Sequence, residues 1–397
     1  MQRSETRILT THTGSLPRPP SLTRLYAQRS MGRAVDESVA AEEGRAAVRA
    51  IVPKQVEAGL DVINNGEQQR DSFALYLRHR LTGLGEGGTR HGWQDIDSYP
   101  EFKAQFLEQS TAKEAVSNTS YLPAAVAEVS YIDDGVMVDE CDVFRAALQP
   151  VKGRFVEAFL AAPSPGIVAA IVQNRHYATD DAYLAALGEA LRIEYEAIVA
   201  HGFLLQLDCP DLALERHCSY RDRPLAEFID FGERVVATIN HAIRNIPRDR
   251  VRLHVCWGNY EGPHDSDVPL RDILPVILQA KVGGFVLPFA NPRHAHEFRL
   301  FEHMPLASDQ LLVAGVIDTL TNFIEHPETI ADRIERVAAV IGDPKRVLAG
   351  TDCGFDTAAG RGRLTSDIVW GKLRALRDGA RIASARLFPE GQQAEIA

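Results

Sequence analysis

A chain of 397 residues, 45% hydrophobic and 7% aromatic, has material for one large or two medium α/β domains with a sizeable core. Its formal charge of −11 at pH 7 argues against a basic patch for nucleic acid or anionic membranes, because both need cations that displace counterions. No apolar run approaches the roughly 20 residues that cross a bilayer, and the opening MQRSETRILTTHTGSLPRPP lacks a secretory core, so a cytoplasmic protein with small-molecule partners is expected.

In chain order, the first β-branched run covers residues 7–12 and ends at His12, followed by a GS turn with Ser15 and then Arg18. The second covers 61–67 and ends in NGEQQR, with Glu67 and Arg70. Residues 71–150 depart from the pattern with the Gly- and charge-rich GLGEGGTRHGWQD. They read as an insertion over one end of the fold or as a plain surface loop. A third run, 155–161, precedes DDAYLAALGEALRIEYEAIVAHG, whose apolar residues recur three to four apart and predict a helix.

The fourth run, 204–208, ends at Asp208 and leads to a second such helix, DFGERVVATINHAIRNI. Runs at 251–256, 284–288, 311–318 and 346–352 complete the set. Strand and helix in alternation imply parallel pairing. Eight units, with no GxGxxG after the first strand, point to a (β/α)8 TIM barrel with an insertion between its second and third strands, all within one domain spanning 1–397.

The chemistry concentrates in VRLHVCWGNYEGPHD and RVLAGTDCGFDT. His254 and Cys256 are two apart on one strand and so face the same way, at the C-terminal end where barrels of this type build active sites. The eighth run brings Cys353 to the same end. One histidine and two thiolates bind zinc and leave a tetrahedral position open, which is the pattern of a catalytic site. A coordinating metal deprotonates a thiol whose free pKa is near 8.5, so a substrate thiol there would become a nucleophile. Cys141, Cys209 and Cys218 have no partner in ligand spacing and read as packing.

TTHTGSLPRP, GLDVINNGEQQR, LQLDCPDLAL, HVCWGNYEGPHD, FANPRHAHE and GTDCGFDT occur in an order that resembles the catalytic barrel of the cobalamin-independent methionine synthase family, whose short relatives include epoxyalkane:coenzyme M transferases. The resemblance implies a zinc-dependent enzyme that transfers a methyl or alkyl group to a homocysteine-like thiol, with His254, Cys256 and Cys353 as metal ligands. It also implies that Ser15, Glu67 and Asp208 hold the amino-acid part of the thiol, the two carboxylates being the groups that act in catalysis.

The chain departs from the family in three ways. A position that is a zinc-ligating glutamate in many relatives is Pro288, which leaves the fourth site to water, substrate, or His294 or His296, both expected on a solvated helix start. The position of a proton-donating histidine is Leu320. One barrel is expected here, where the long synthases have a second that helps bind folate, so the resemblance leaves open a donor other than a folate. The alkyl donor and the oligomeric state are left open.

Arg18 and Arg70 read either as a clamp for an anionic group or as structural ion-pair partners. His12 reads as a substrate contact or a hydrogen-bonded rim residue. Trp257 and Tyr260 either wall a pocket or pack. Rival readings are alkylation of coenzyme M by an epoxide, a metal-free decarboxylase on the related uroporphyrinogen decarboxylase barrel, and a metallated binding protein without turnover.

Overall fold

The structure is a computed structural model that describes residues 1–90, 92–111, 115–116, 122–132 and 135–389. Its strands, numbered along the chain, are β1 (Val62–Ile63), β2 (Leu84–Gly88), β3 (Leu122–Ala125), β4 (Glu157–Pro163), β5 (Gln173–Asn174), β6 (Leu204–Asp208), β7 (Val251–His254), β8 (Gly284–Pro288), β9 (Leu311–Ile317) and β10 (Val347–Thr351). Seven form one curled sheet in the order β1-β4-β6-β7-β8-β9-β10, parallel throughout. Thr10 bridges in parallel to Ala349 of β10 and Thr11 to Val62 of β1, so the N-terminal segment sits between the two edges of the sheet.

Inside the curl lies one apolar cluster that draws Leu9, Val62, Phe159, Leu204, Val286, Leu348 and the β9 pair Leu311 and Val313 from the surrounding strands. The opposite pleat, with Leu205, Leu207 and Leu253, belongs to the larger core, which also takes in the buried faces of helices Asp180–Ala200, Leu225–Ala242, Pro327–Ile341 and Ser366–Leu387. Helix Asp180–Ala200 starts where the Thr179 hydroxyl accepts from Ala182 N at 3.1 Å and acidic Asp180 and Asp181 meet the positive end of the helix dipole. Among the described residues no helix is long and apolar enough to cross a membrane.

The first two predicted runs are shorter than the pattern suggested. Asp61 takes a forked pair of hydrogen bonds from Arg7, at 2.7 and 2.6 Å, and another from Thr10 N at 2.8 Å, which ties these segments by side chains more than by a ladder. After Ile63 the amide side chains of Asn64 and Asn65 accept from the N–H groups of Gly66 and Glu67, at 2.7 and 2.9 Å, and turn the chain out of the sheet.

Between β1 and β4 the chain holds helices Pro100–Thr111 and Val136–Leu148, and β2 and β3, which pair antiparallel. β3 in turn pairs with β5 in parallel. These strands escaped the sequence reading because LGEGG has no apolar alternation. Its glycine Gly88 lets the backbone lie against Pro123 O, where any Cβ would collide. Of the stretch 71–150, residues 91, 112–114, 117–121 and 133–134 lie outside the described residues.

Candidate thiol and metal site at the strand ends

His254 ends β7, opposite Asp208 of β6 on one side and Val286 of β8 on the other. Its Nδ1 meets Val286 O at 3.2 Å, which fixes the ring and leaves Nε2 buried without a partner. The Cys256 and Cys353 sulfurs lie 3.9 Å apart, too far for a disulfide, and one ligand atom from each of the three residues falls within 4.8 Å of the others. Two thiolates at about 2.3 Å from a tetrahedral zinc would be separated by about 3.8 Å. All three residues are buried. The hydrogen bond between the thiols holds Cys256 well below the ordinary thiol range and pushes Cys353 well above it, so the pair shares one proton. Burial opposes charge on His254, but the adjacent Cys256 outweighs it and raises the imidazole.

Cys353 is set by its neighbour. The buried Asp352 carboxylate accepts from Phe289 N at 3.0 Å, Ala290 N at 2.9 Å and Asn291 N at 2.7 Å, which staples the loop after β8 to the end of β10. Burial raises Asp352 to about 7 even with these bonds. Asp352→Ala strands the N–H groups of Ala290 and Asn291 at once, while Phe289 N keeps Gly315 O at 2.9 Å. We expect it to lose roughly 2–4 kcal/mol of unfolding free energy in a urea titration.

A cavity of about 150 Å³ joins the three metal-type residues to Ser15, Glu67 and Asp208. Its apolar walls include Phe73, Leu75, Trp93, Ile167, Ile171 and Leu214. Glu67 adopts φ 55, in the left-handed region, after the paired asparagine turns described above. A side chain at Gly14 would run into its carboxylate and displace it. Glu67 Oε2 is buried without a partner. Burial first, then the charge of Asp208, pushes Glu67 up to about 8, while burial lifts Asp208 to about 6 against the pull of His254. Ser15 Oγ accepts from Asp356 N at 3.2 Å.

Three sequence candidates lie behind the cavity wall. His12 is buried, with Nε2 2.9 Å from Gln55 Oε1, and burial lowers it to about 4. Arg18 donates to the backbone oxygens of Arg70, Asp356 and Glu67, at 2.9, 2.7 and 2.9 Å, and pairs with the Asp356 carboxylate at 3.0 Å. Arg70 donates to Glu140 at 2.9 Å and to Ala161 O at 2.6 Å. Arg18 therefore spends its donors on the protein, as Arg70 does at Nε and Nη1, while Arg70 Nη2 is buried without a hydrogen bond, 3.6 Å from the Glu194 carboxylate.

His294 is not on a solvated helix start. It is 4% exposed, stacked on Trp257 at 3.8 Å, and held by Asp267 at 2.9 Å and Glu297 at 2.8 Å. His296 is exposed. Among the described residues no fourth ligand-type side chain joins the cluster at Pro288.

Burial disfavours the charged form of His294, yet the two carboxylates raise it to about 9. A histidine raised from 6.5 contributes stability that is complete below pH 6.5 and lost as pH rises through 9, roughly 3 kcal/mol at most. Urea unfolding between those pH values is expected to show the loss, and His294→Gln to flatten it.

The sequence reading missed the part played by Arg90 and by residues 92–97. Arg90 and Trp93 line the cavity, and Trp93 stacks on Tyr260 at 4.7 Å. Asp95 ties this strap to the segment after β7 by accepting from Tyr260 Oη at 2.6 Å and His264 N at 3.0 Å. An acidic residue in QDID resembles any helix-start aspartate, so the sequence holds no signal for that role.

The fold and site define an α/β protein with a curled parallel sheet that gathers a buried His/Cys/Cys cluster and a carboxylate pair at the C-terminal strand ends. No protein-family model matches the chain. It is 27% identical over 343 residues to a methionine synthase of Pyrococcus furiosus, covering 86% of this chain and 84% of that one. It is 26% identical over 380 residues to a methionine synthase of Thermococcus kodakarensis, covering 96% and 94%.

Among solved structures, a B12-independent methionine synthase from Shewanella sp. W3-18-1 shares the fold with TM-score 0.72 and 20% identity, over 96% of this chain and 99% of that one. A putative vitamin-B12 independent methionine synthase from Listeria monocytogenes does so with TM-score 0.61 and 19% identity, over 95% and 99%. These likenesses, over nearly the whole chain, support a place for it in the cobalamin-independent methionine synthase-like family.

Proposed function

We propose that the chain is an enzyme that transfers a methyl group to the sulfur of a homocysteine-like thiol, with zinc held by His254, Cys256 and Cys353. The observation that carries this reading is one cavity shared by the cluster, with its partnerless His254 Nε2, and by a carboxylate pair suited to an ammonium group. Methionine synthase is the activity its curated relatives are named for. The eight strand segments are read as a complete (β/α)8 barrel, and residues 71–150 as an elaboration over its mouth.

The residues fit the metal. The sulfur separation matches a tetrahedral zinc, the histidine offers a fixed lone pair, and a closed set of three leaves one position for substrate. Zinc there supplies the Lewis acidity that keeps a substrate sulfur in its thiolate form at neutral pH. Glu67 and Asp208 hold the amino group and so aim the sulfur, and Ser15 borders the same space. Phe73, Leu75 and Ile171 exclude the water that would solvate a thiolate. The sulfur–carbon bond forms as the bond from methyl to donor breaks, and its electron pair leaves with the donor. With Leu320 at the position of the family's acid, a donor that leaves without needing a proton suits this chain.

Arg18 and Arg70 are occupied by protein acceptors, which disfavours the sulfonate clamp that a coenzyme M reading requires. A metal-free decarboxylase would leave the cluster unused. Two measurements on purified protein test the proposal: metal content, and methyl transfer from candidate donors to homocysteine. Protein that neither holds zinc nor alkylates any thiol would overturn it.

A further inference from the structure

One pleat step below the site, Gln206 and Arg252 are register partners, just as Asp208 and His254 are at the mouth. Arg252 is 1% exposed and forms no ion pair among the described residues. Its guanidinium lies 3.9 Å from the Phe159 ring centroid, its Nη2 reaches His12 O at 3.5 Å, and its Nε donates to Gln206 Oε1 at 2.8 Å. Its guanidinium is a cation at neutral pH, as arginine is throughout proteins.

Gln206 Nε2 donates in turn to Asp208 Oδ1 at 2.8 Å and to Thr13 O. The amide can face only this way. A guanidinium cannot accept, so it takes the amide oxygen, and an ionised carboxylate cannot donate, so it takes the amide nitrogen. A charge polarising such a chain strengthens each bond in it. The other carboxylate whose field Arg252 feels is Glu157, which lies beside the N-terminal ammonium at 3.7 Å. Glu67, by contrast, receives no side-chain hydrogen bond among the described residues, and its Oε2 is buried without a partner.

We propose that the two carboxylates that hold the ammonium group of the thiol substrate are unlike: Arg252, acting through Gln206, orients Asp208, and Glu67 meets the ammonium group with no side-chain hydrogen bond of its own. The inference rests on the thiol-transfer reading above. Neither Arg252 nor Gln206 lines the cavity, so both are positioning residues. The site selects thiols that bear one positive charge, and part of that selectivity lies in the layer beneath it.

The test compares the affinities of zinc-loaded protein for homocysteine and for 4-mercaptobutanoate, which differs only in lacking the amino group, by calorimetry near neutral pH. The wild type is expected to prefer homocysteine by about 100-fold. Gln206→Glu keeps the shape, gives Arg252 a direct partner and removes the donor to Asp208, while Arg252→Met frees the amide to turn.

Both variants are expected to cut the preference by about tenfold or more with zinc content unchanged, and Arg252→Lys to restore part of it. If Arg252→Met fails to fold, Gln206→Glu carries the test. An unchanged preference in the folded variants, or a wild type that binds both thiols alike, overturns this inference alone. A wild type that binds neither thiol overturns the thiol reading and this inference with it.

Discussion

Cys353→Ser protein is expected to fold and to lose its metal. Elemental analysis of wild type purified without added zinc should give about one zinc per chain, and the variant should bind at least ~100-fold more weakly, with thiol alkylation lost in step. The reason is charge. A serine hydroxyl stays protonated near neutral pH, so the cluster keeps His254 and one thiolate, and the closed set of three that leaves one open position is gone. The exchange is nearly isosteric at a buried site, so the cost to the fold is about 1–2 kcal/mol, small enough to separate from the loss of metal by thermal unfolding. Cys256→Ser should behave the same way, because the sulfurs are 3.9 Å apart and share a proton in the metal-free pair.

Glu67→Gln is expected to do the reverse, leaving the fold intact or slightly more stable while crippling substrate binding. The native carboxylate is buried with one oxygen unpartnered, and burial together with Asp208 raises it to about 8, so the folded protein bears a penalty that a neutral amide removes. The amide offers no charge to an ammonium group. We expect KM for homocysteine to rise by about 30- to 1,000-fold, equivalent to about 2–4 kcal/mol, with little change for the des-amino thiol. Steady-state kinetics on both thiols, alongside thermal unfolding, checks both halves. A variant that loses stability and binds both thiols equally badly would mean that Glu67 is structural.

Much of the strand pattern was legible in the sequence because the parallel strands are fully buried and read as short apolar runs between periodic helices. The runs ending at Asp208 and Pro288 coincide with β6 and β8 to the residue. The HxC spacing predicted that His254 and Cys256 face the same way, and the structure brings them together, with His254 as the last residue of β7 and Cys256 just beyond its end. Such rules are local, so a single chain segment suffices to state them.

Everything that depends on which distant segments meet was decided by the tertiary structure. The sequence could not choose between a clamp and an ion pair for Arg18 and Arg70. Packing chose, by surrounding them with backbone oxygens and the Asp356 and Glu140 carboxylates. His294 looked solvent-facing because a histidine in FANPRHAHE has no periodicity to reveal burial, yet Trp257, Asp267 and Glu297 enclose it. The polar layer of Gln206 and Arg252 was equally hidden. A buried arginine is tolerated only where the folded chain delivers acceptors to it, and its acceptors come from a neighbouring strand and from His12, 240 residues earlier.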